Sequence, residues 1–212
     1  MARTANPEKQ KKTRTELFRI AARAFLRDGY EATGMKALAE EAGCTTGKFY
    51  FHYSGKEEIL TELLAELFRG NKEAAERTAG RKKDCFYGAM FFLSMLYQGA
   101  KAYPNLRDIY HEGISQPAGR ELCEEILTEM LDDAEAIRIR VAISAIPVFF
   151  REEGGAEEQY LTMLAQILGK NPEEAEAYEK RISEDSAKVR EKAYDVLVRL
   201  LQGPGRKNVK KL

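Results

Sequence analysis

The sequence predicts an all-α protein, and three observations carry that prediction. Glu, Lys, Arg, Ala and Leu dominate a chain of 212 residues that is 44% hydrophobic and 32% charged, which suits a folded, helix-rich protein better than a disordered one. Apolar side chains return at three- and four-residue steps in almost every segment, the spacing of one helical face. No stretch of useful length alternates with the period of two that a strand requires, and no internal repeat is visible. The length allows one or two domains and a substantial core.

Each helix has its own signals. Thr13-x-x-Glu16 is a capping-box pattern for a first helix burying Leu17, Ala21, Ala24 and Phe25, with Gly29 placed to stop it. Thr33 suits the cap of a short second helix carrying Met35, Leu38, Ala39 and Ala42, ended by Gly43. Thr45 suits the cap of a third, very short helix, and Ser54-x-x-Glu57 opens a long one with Ile59, Leu60, Leu63, Leu64 and Leu67 on one side. After the polar run GRKKD at 80–84, the stretch from Cys85 to Tyr97 is apolar all round, as expected of a central helix in a bundle. Pro104 and Pro117 punctuate a shorter helix, and a helical region follows from about Gly119 to Arg151, broken or kinked near Asp132 or at Pro147. Gly154-Gly155 reads as a loop, and Glu157 to Leu168 as an amphipathic helix. Asn171-Pro172 starts a last helix running to about Gln202, before Gly203-Pro204-Gly205 and a basic tail.

Charge and cysteine content narrow the function classes. Residues 1–56 hold eleven Lys/Arg against six Asp/Glu, a balance of +5, and the remainder balances at −5. A basic amino-terminal segment on an acidic body fits a localised polyanion-binding face, or a solvated arm. Cys44, Cys85 and Cys123 form neither a disulfide framework nor a zinc pattern, so a reducing cytoplasm is the expectation. Two distant histidines argue against a His-rich metal site, and no metal or cofactor is expected. The start shows no secretory h-region, and AMFFLSMLY at 89–97 is too short to span a bilayer. Nucleophile-elbow, zincin and phosphate-loop motifs are all missing, so the chain is not read as an enzyme.

Residues 35–53 form a helix, a Gly-containing turn and a second short helix, which is a helix-turn-helix. In such a unit the amino-terminal residues of the second helix meet base edges in the DNA major groove. Thr45, Thr46, Gly47 and Lys48 occupy that position, with Lys48 suited to guanine acceptors. Phe49 and Tyr53, four apart, are expected in the core. Thr33, Tyr50, Phe51, His52 and Lys56 are expected beside the phosphates, through hydroxyls, position near the DNA backbone, or charge at a helix start.

The segment AARAFLRDGYEATGMKALAEEAGCTTGKFYFHYSGKEEIL resembles the DNA-binding domain of TetR-family transcriptional regulators. The points of resemblance are Gly29-Tyr30, Thr33, Leu38-Ala39, Ala42-Gly43, Thr45, Tyr50, His52-Tyr53 and Lys56-Glu57-Glu58-Ile59-Leu60; Gly34 and Ala37 depart from the usual hydroxyl and acidic residues. The resemblance covers about a quarter of the chain and implies a DNA-binding domain over 1–55, an effector-binding and dimerisation domain over 56–204, and a basic tail over 205–212. It further implies a homodimer on a near-palindromic double-stranded operator, released by a small-molecule effector, with repression the expected mode and activation or ligand-independent binding the alternatives. Phe91, Phe92, Met95, Tyr97, Tyr103, Tyr110 and His111 are candidate linings for an apolar or aromatic effector, although such residues serve a core equally well. The two C-terminal helices are the candidate dimer interface, through Tyr160, Leu164, Ile182, Val189, Val196 and Leu200; periodicity does not distinguish that role from packing within one subunit. Cys44, in the turn, is either a small packed residue or a redox-sensitive one.

Overall fold

The first helix, α1 (Pro7–Asp28), starts well before its Thr13 signal. Proline fits a first helical position because it has no N–H to leave unpaired. Thr13 therefore sits inside the helix, its hydroxyl donating back to the Lys9 carbonyl at 2.9 Å. The computed structural model describes residues 7–79, 84–131, 135–151 and 157–202, which form eleven helices and no strand. After α1 come α2 (Met35–Glu41), α3 (Thr46–His52), α4 (Lys56–Ala79), α5 (Cys85–Ala102) and α6 (Pro104–Ser115). Then follow α7 (Pro117–Met130), α8 (Ala136–Arg151), α9 (Glu157–Ile167), α10 (Pro172–Glu184) and α11 (Ser186–Gln202).

The fold class is as predicted, with changes of detail. The long region after Pro117 does break, between α7 and α8, and Pro147 lies inside α8. The expected single last helix is two, divided at Asp185, whose carboxylate accepts a hydrogen bond from the Tyr87 hydroxyl. Asn171 caps α10 as expected, with Glu174 completing the capping box. The Gly154-Gly155 loop, the Gly203-Pro204-Gly205 stop and the basic tail lie outside the described residues.

Helix α5 is the axis of the larger body. Every residue from Tyr87 to Ala100 is buried, and α4, α6, α7, α8, α9, α10 and α11 all pack on it. An apolar helix finds its place by removing all its faces from water, at about 1.5–3 kcal/mol per large side chain. Aromatic rings link the layers. Phe68 meets Phe92 edge-on at 6.0 Å, Tyr97 stacks on Tyr160 at 5.0 Å, and Tyr110 stacks on Phe150 at 6.0 Å. Close backbone approach is needed where α6 meets α7: a Cβ at Gly119 would lie 2.0 Å from the Gly113 carbonyl oxygen.

This packing bears on two sequence expectations. Phe91, Phe92, Met95, Tyr97 and Tyr110 are buried in the packed core, and Tyr103 is half-buried at the α5–α6 junction; among the seven candidates, His111 alone lines a described cleft. Tyr160, Leu164, Ile182, Val189 and Val196 are likewise buried within one chain, and Leu200 is half-buried against the core. Their apolar faces are spent on α5 and its neighbours, because a helix as apolar as α5 needs covering on every side. Among the described residues of the larger body, the large apolar side chains left in water lie on α8: Ile137, Val141 and Val148 are 57%, 48% and 57% exposed.

Candidate nucleic-acid interface

The amino-terminal helices form a small unit on the first half of α4. Leu17, Ala21, Ala22 and Phe25 from α1 share one core with Leu38 and Ala39 from α2, Phe49 from α3, and Ile59, Leu60 and Leu63 from α4. Tyr53, just past α3, is buried with them, so Phe49 and Tyr53 take the core role read from their spacing. The turn between α2 and α3 needs Gly43 at φ +60°, a left-handed conformation that costs glycine little. There the Cys44 N–H returns to the Ala39 carbonyl, and Cys44 is half-buried. Thr45 caps α3, its hydroxyl accepting from the Lys48 N–H at 3.2 Å.

A seven-residue helix is marginal alone, so its position depends on tertiary contacts. Arg14 supplies them. Its guanidinium donates to the His52 carbonyl, to Glu58 at 3.0 Å and to Glu62 at 2.6 Å, and lies 4.0 Å over the Tyr53 ring. One side chain thus joins α1, the end of α3 and the start of α4. Sequence reading missed it, because its partners lie 38 to 48 residues away. The expected Ser54–Glu57 capping box is not formed; instead the Ser54 N–H and hydroxyl both donate to Glu58, one residue further on. Across the unit, Arg27 ties α1 to Glu41 of α2 at 2.8 Å, although an ion pair this exposed contributes little.

The result is one free face on α3. Gly47, Lys48, Tyr50 and Phe51 are exposed, while Thr46 and His52 are half-buried at its margins and Thr45 is exposed at the cap. Gly47 has nothing within 4 Å of where a Cβ would stand. Phe51, 69% exposed, touches only the edge of the His52 ring among the aromatic contacts described, at 5.1 Å. It has no polar atom for a phosphate, and its ring lies one turn beyond Gly47, at the centre of the free face; its chemistry suits a thymine methyl. Burial, then the charges of Arg14 and Lys48, hold the His52 imidazole below its usual range. Lys9, Lys11 and Lys12 near the start of α1 and Lys36 on α2 are further exposed cations.

Two expected phosphate contacts are otherwise engaged. Thr33 is buried, its hydroxyl donating to the Gly29 carbonyl at 2.7 Å, and the cap of α2 is Gly34, without a side-chain bond. Closing the Gly29–Thr33 turn competes with capping for the one hydroxyl, and the turn wins. Lys56 folds back over the Tyr30 ring at 4.3 Å, donates to the Tyr30 carbonyl at 3.3 Å, and is 3.9 Å from Glu31. Both side chains hold the loop before α2.

A short, capped helix presented to solvent by a three-helix core, with basic and hydroxyl side chains on its free face, defines a helix-turn-helix DNA-binding domain. Residues 17–63 match the family described as bacterial regulatory proteins, tetR family. The chain is 37% identical over 60 residues to the HTH-type transcriptional regulator TtgR of Pseudomonas putida, covering 28% of this chain and 29% of TtgR. It is 41% identical over 51 residues to the HTH-type transcriptional repressor KstR2 of Mycobacterium tuberculosis, covering 24% of this chain and 26% of that one. The sequence match thus spans under a third of these relatives. The fold likeness reaches further: the structure of RolR in complex with resorcinol superposes with a TM-score of 0.68 at 16% identity, covering 83% of this chain and 97% of that one. A gamma-butyrolactone receptor described as ArpA-like gives 0.51 at 21% identity, covering 83% and 99%.

Proposed function

We propose that this protein is a transcriptional regulator of the cytoplasm, acting as a ligand-released repressor that binds a near-palindromic operator as a homodimer. The observation that carries the reading is the free face of α3, held rigid by Arg14 and otherwise unoccupied. Lys48 and Thr46 would meet base edges, Phe51 a thymine methyl, and Tyr50 and His52 the phosphates. The family match over residues 17–63 and the name of KstR2 as a repressor support this mode. Among the described residues, no helix is long and apolar enough to cross a membrane.

The dimer and the effector have separate support. Ile137, Val141 and Val148 form an exposed apolar stripe on α8, which two copies would bury isologously about a two-fold axis. Beside it, a cleft of about 370 Å³ is lined by His111, Ser115, Arg120 and Ser144 over Ile114, Ile143, Pro147 and Val148. That lining suits a small molecule with an apolar face and one or two hydroxyl or acidic groups. RolR carries resorcinol, a molecule of that kind.

Selection from random duplexes, followed by fluorescence anisotropy across a salt series, tests the reading. A palindromic winner bound by two chains is the expected result. Weak, salt-sensitive binding without a selected sequence, by protein freed of small molecules through unfolding and refolding, would overturn it.

A further inference from the structure

The body outside the DNA-binding domain is acidic overall, yet one cleft in it gathers cations. Between α4 and α11 lies a cavity of about 330 Å³, lined by Arg77, Lys188, Lys192 and Arg199, with Asp195, Thr78, Ala74 and Val196. Lys192 lies 3.8 Å from Asp195 and 3.4 Å from Glu191, which account for its charge locally. Among the described residues, Arg77 pairs only with Glu73 on its own helix, at 3.5 Å and more than half exposed. Among the described residues, Lys188 and Arg199 have no carboxylate within ion-pair distance. The Thr78 hydroxyl donates to the Ala74 carbonyl at 2.9 Å, so its proton is committed and recognition falls to the cations.

Arg77, Lys188 and Arg199 are exposed at this concavity, and their overlapping positive fields favour an anion there. The lining carries four cations and one carboxylate, and Ala74 and Val196 give it an apolar floor. The walls are fixed: α4 and α11 touch closely at Gly70, where a Cβ would lie 2.7 Å from Val196. The Arg23 guanidinium also holds the far end of α11 to α1, donating to the Leu201 carbonyl at 2.7 Å. Arg77 stands about 30 Å along α4 from Lys56, at about 1.5 Å per residue, so the cleft is remote from the face of α3.

We infer that the α4–α11 cleft is a binding site for a small molecule bearing a chain of phosphates, such as a nucleoside polyphosphate, with Arg77, Lys188 and Arg199 holding the phosphate oxygens. A single phosphate would leave cations unpaired, whereas a chain of two or three offers several anionic groups to the long side chains of Arg77, Lys188 and Arg199 that line the cleft. The site is independent of the DNA-binding reading, and its test uses no operator.

Calorimetric titration of the full chain with ATP, with inorganic triphosphate and with adenosine, each without divalent metal, is the experiment. The expected result is binding of ATP and triphosphate but not adenosine. A Lys188→Glu/Arg199→Glu chain should lose about tenfold or more in affinity while keeping the melting temperature of the unliganded protein. Should that chain fold poorly, Lys188→Gln and Arg199→Gln measured singly replace it, each with a smaller loss. ATP tighter than triphosphate would identify a nucleotide, and equal affinities the phosphate chain alone. No heat from either anion at about 1 mM, affinity unchanged in the variants, or displacement of ATP by arbitrary duplex DNA would overturn the inference.

Discussion

Two residues of α3 isolate DNA contact from folding. Gly47 stands in open space, so Gly47→Ala removes no packing and adds helix propensity of about 0.5–1 kcal/mol. Its melting temperature should stay level or rise while operator affinity falls, because a methyl group now stands where α3 must approach the bases; anisotropy and thermal melts on one sample check both. His52 gives a pH signature. Its imidazole is held below the usual histidine range, so the unfolded chain binds more protons than the folded one just below that range, and the free domain loses a little stability as pH falls through it. A phosphate beside His52 draws the proton back. Operator affinity at constant ionic strength should therefore rise as pH falls from about 8 to 6, and His52→Gln should flatten that rise. Thr33 and Lys56 show why polar roles are hard to read from sequence: both have chemistry suited to phosphate, and both are used by the turn before α2.

Among the elements, core faces were legible, caps only in part, and partners were not. Thr45 and Asn171 cap the helices their spacing assigns, since a cap reaches only three residues. The faces of α9, α10 and α11 were equally visible, but an apolar stripe records only that something covers it. Here that cover is α5, itself apolar on all sides. The stripe of α8 is the face left over, and this places a prediction on it. Val141→Asp, exposed in the single chain, should leave the helix content of one subunit intact and shift the protein from dimer to monomer in analytical ultracentrifugation. A dimer unaffected by that change would assign the subunit contact to another surface. The break at Asp185 escaped the sequence reading because Pro172 to Gln202 holds neither glycine nor proline inside; what marks it is the long-range bond from Tyr87.

At the scale of the molecule, the DNA-binding unit is joined to the larger body by more than the continuity of α4. Asn105, at the start of α6, donates from Nδ2 to the Leu26 and Arg27 carbonyls at 2.9 and 3.0 Å, closing the end of α1. Arg23 makes the second tie, to α11. The cleft beside α8 borders α6, so a molecule bound there would act on the helix that holds α1. Asn105→Leu removes two hydrogen bonds worth about 0.5–1.5 kcal/mol each. Amide exchange at the end of α1 and in α2 should quicken, with α5 unchanged. Neither tie was legible in the sequence, since each joins residues about 80 or more positions apart. The three cysteines carry a last, practical consequence. Cys123 is fully buried, its thiol pushed up to about 12 by that burial, whereas Cys85 is exposed and Cys44 half-buried in the turn before α3. A maleimide or spin label will therefore leave the core thiol untouched. With Cys85 changed to serine, the chain carries its own attachment point within a few residues of α3. In the proposed dimer, a pair of labels, one per subunit, becomes a molecular ruler for the gap between the two copies of α3.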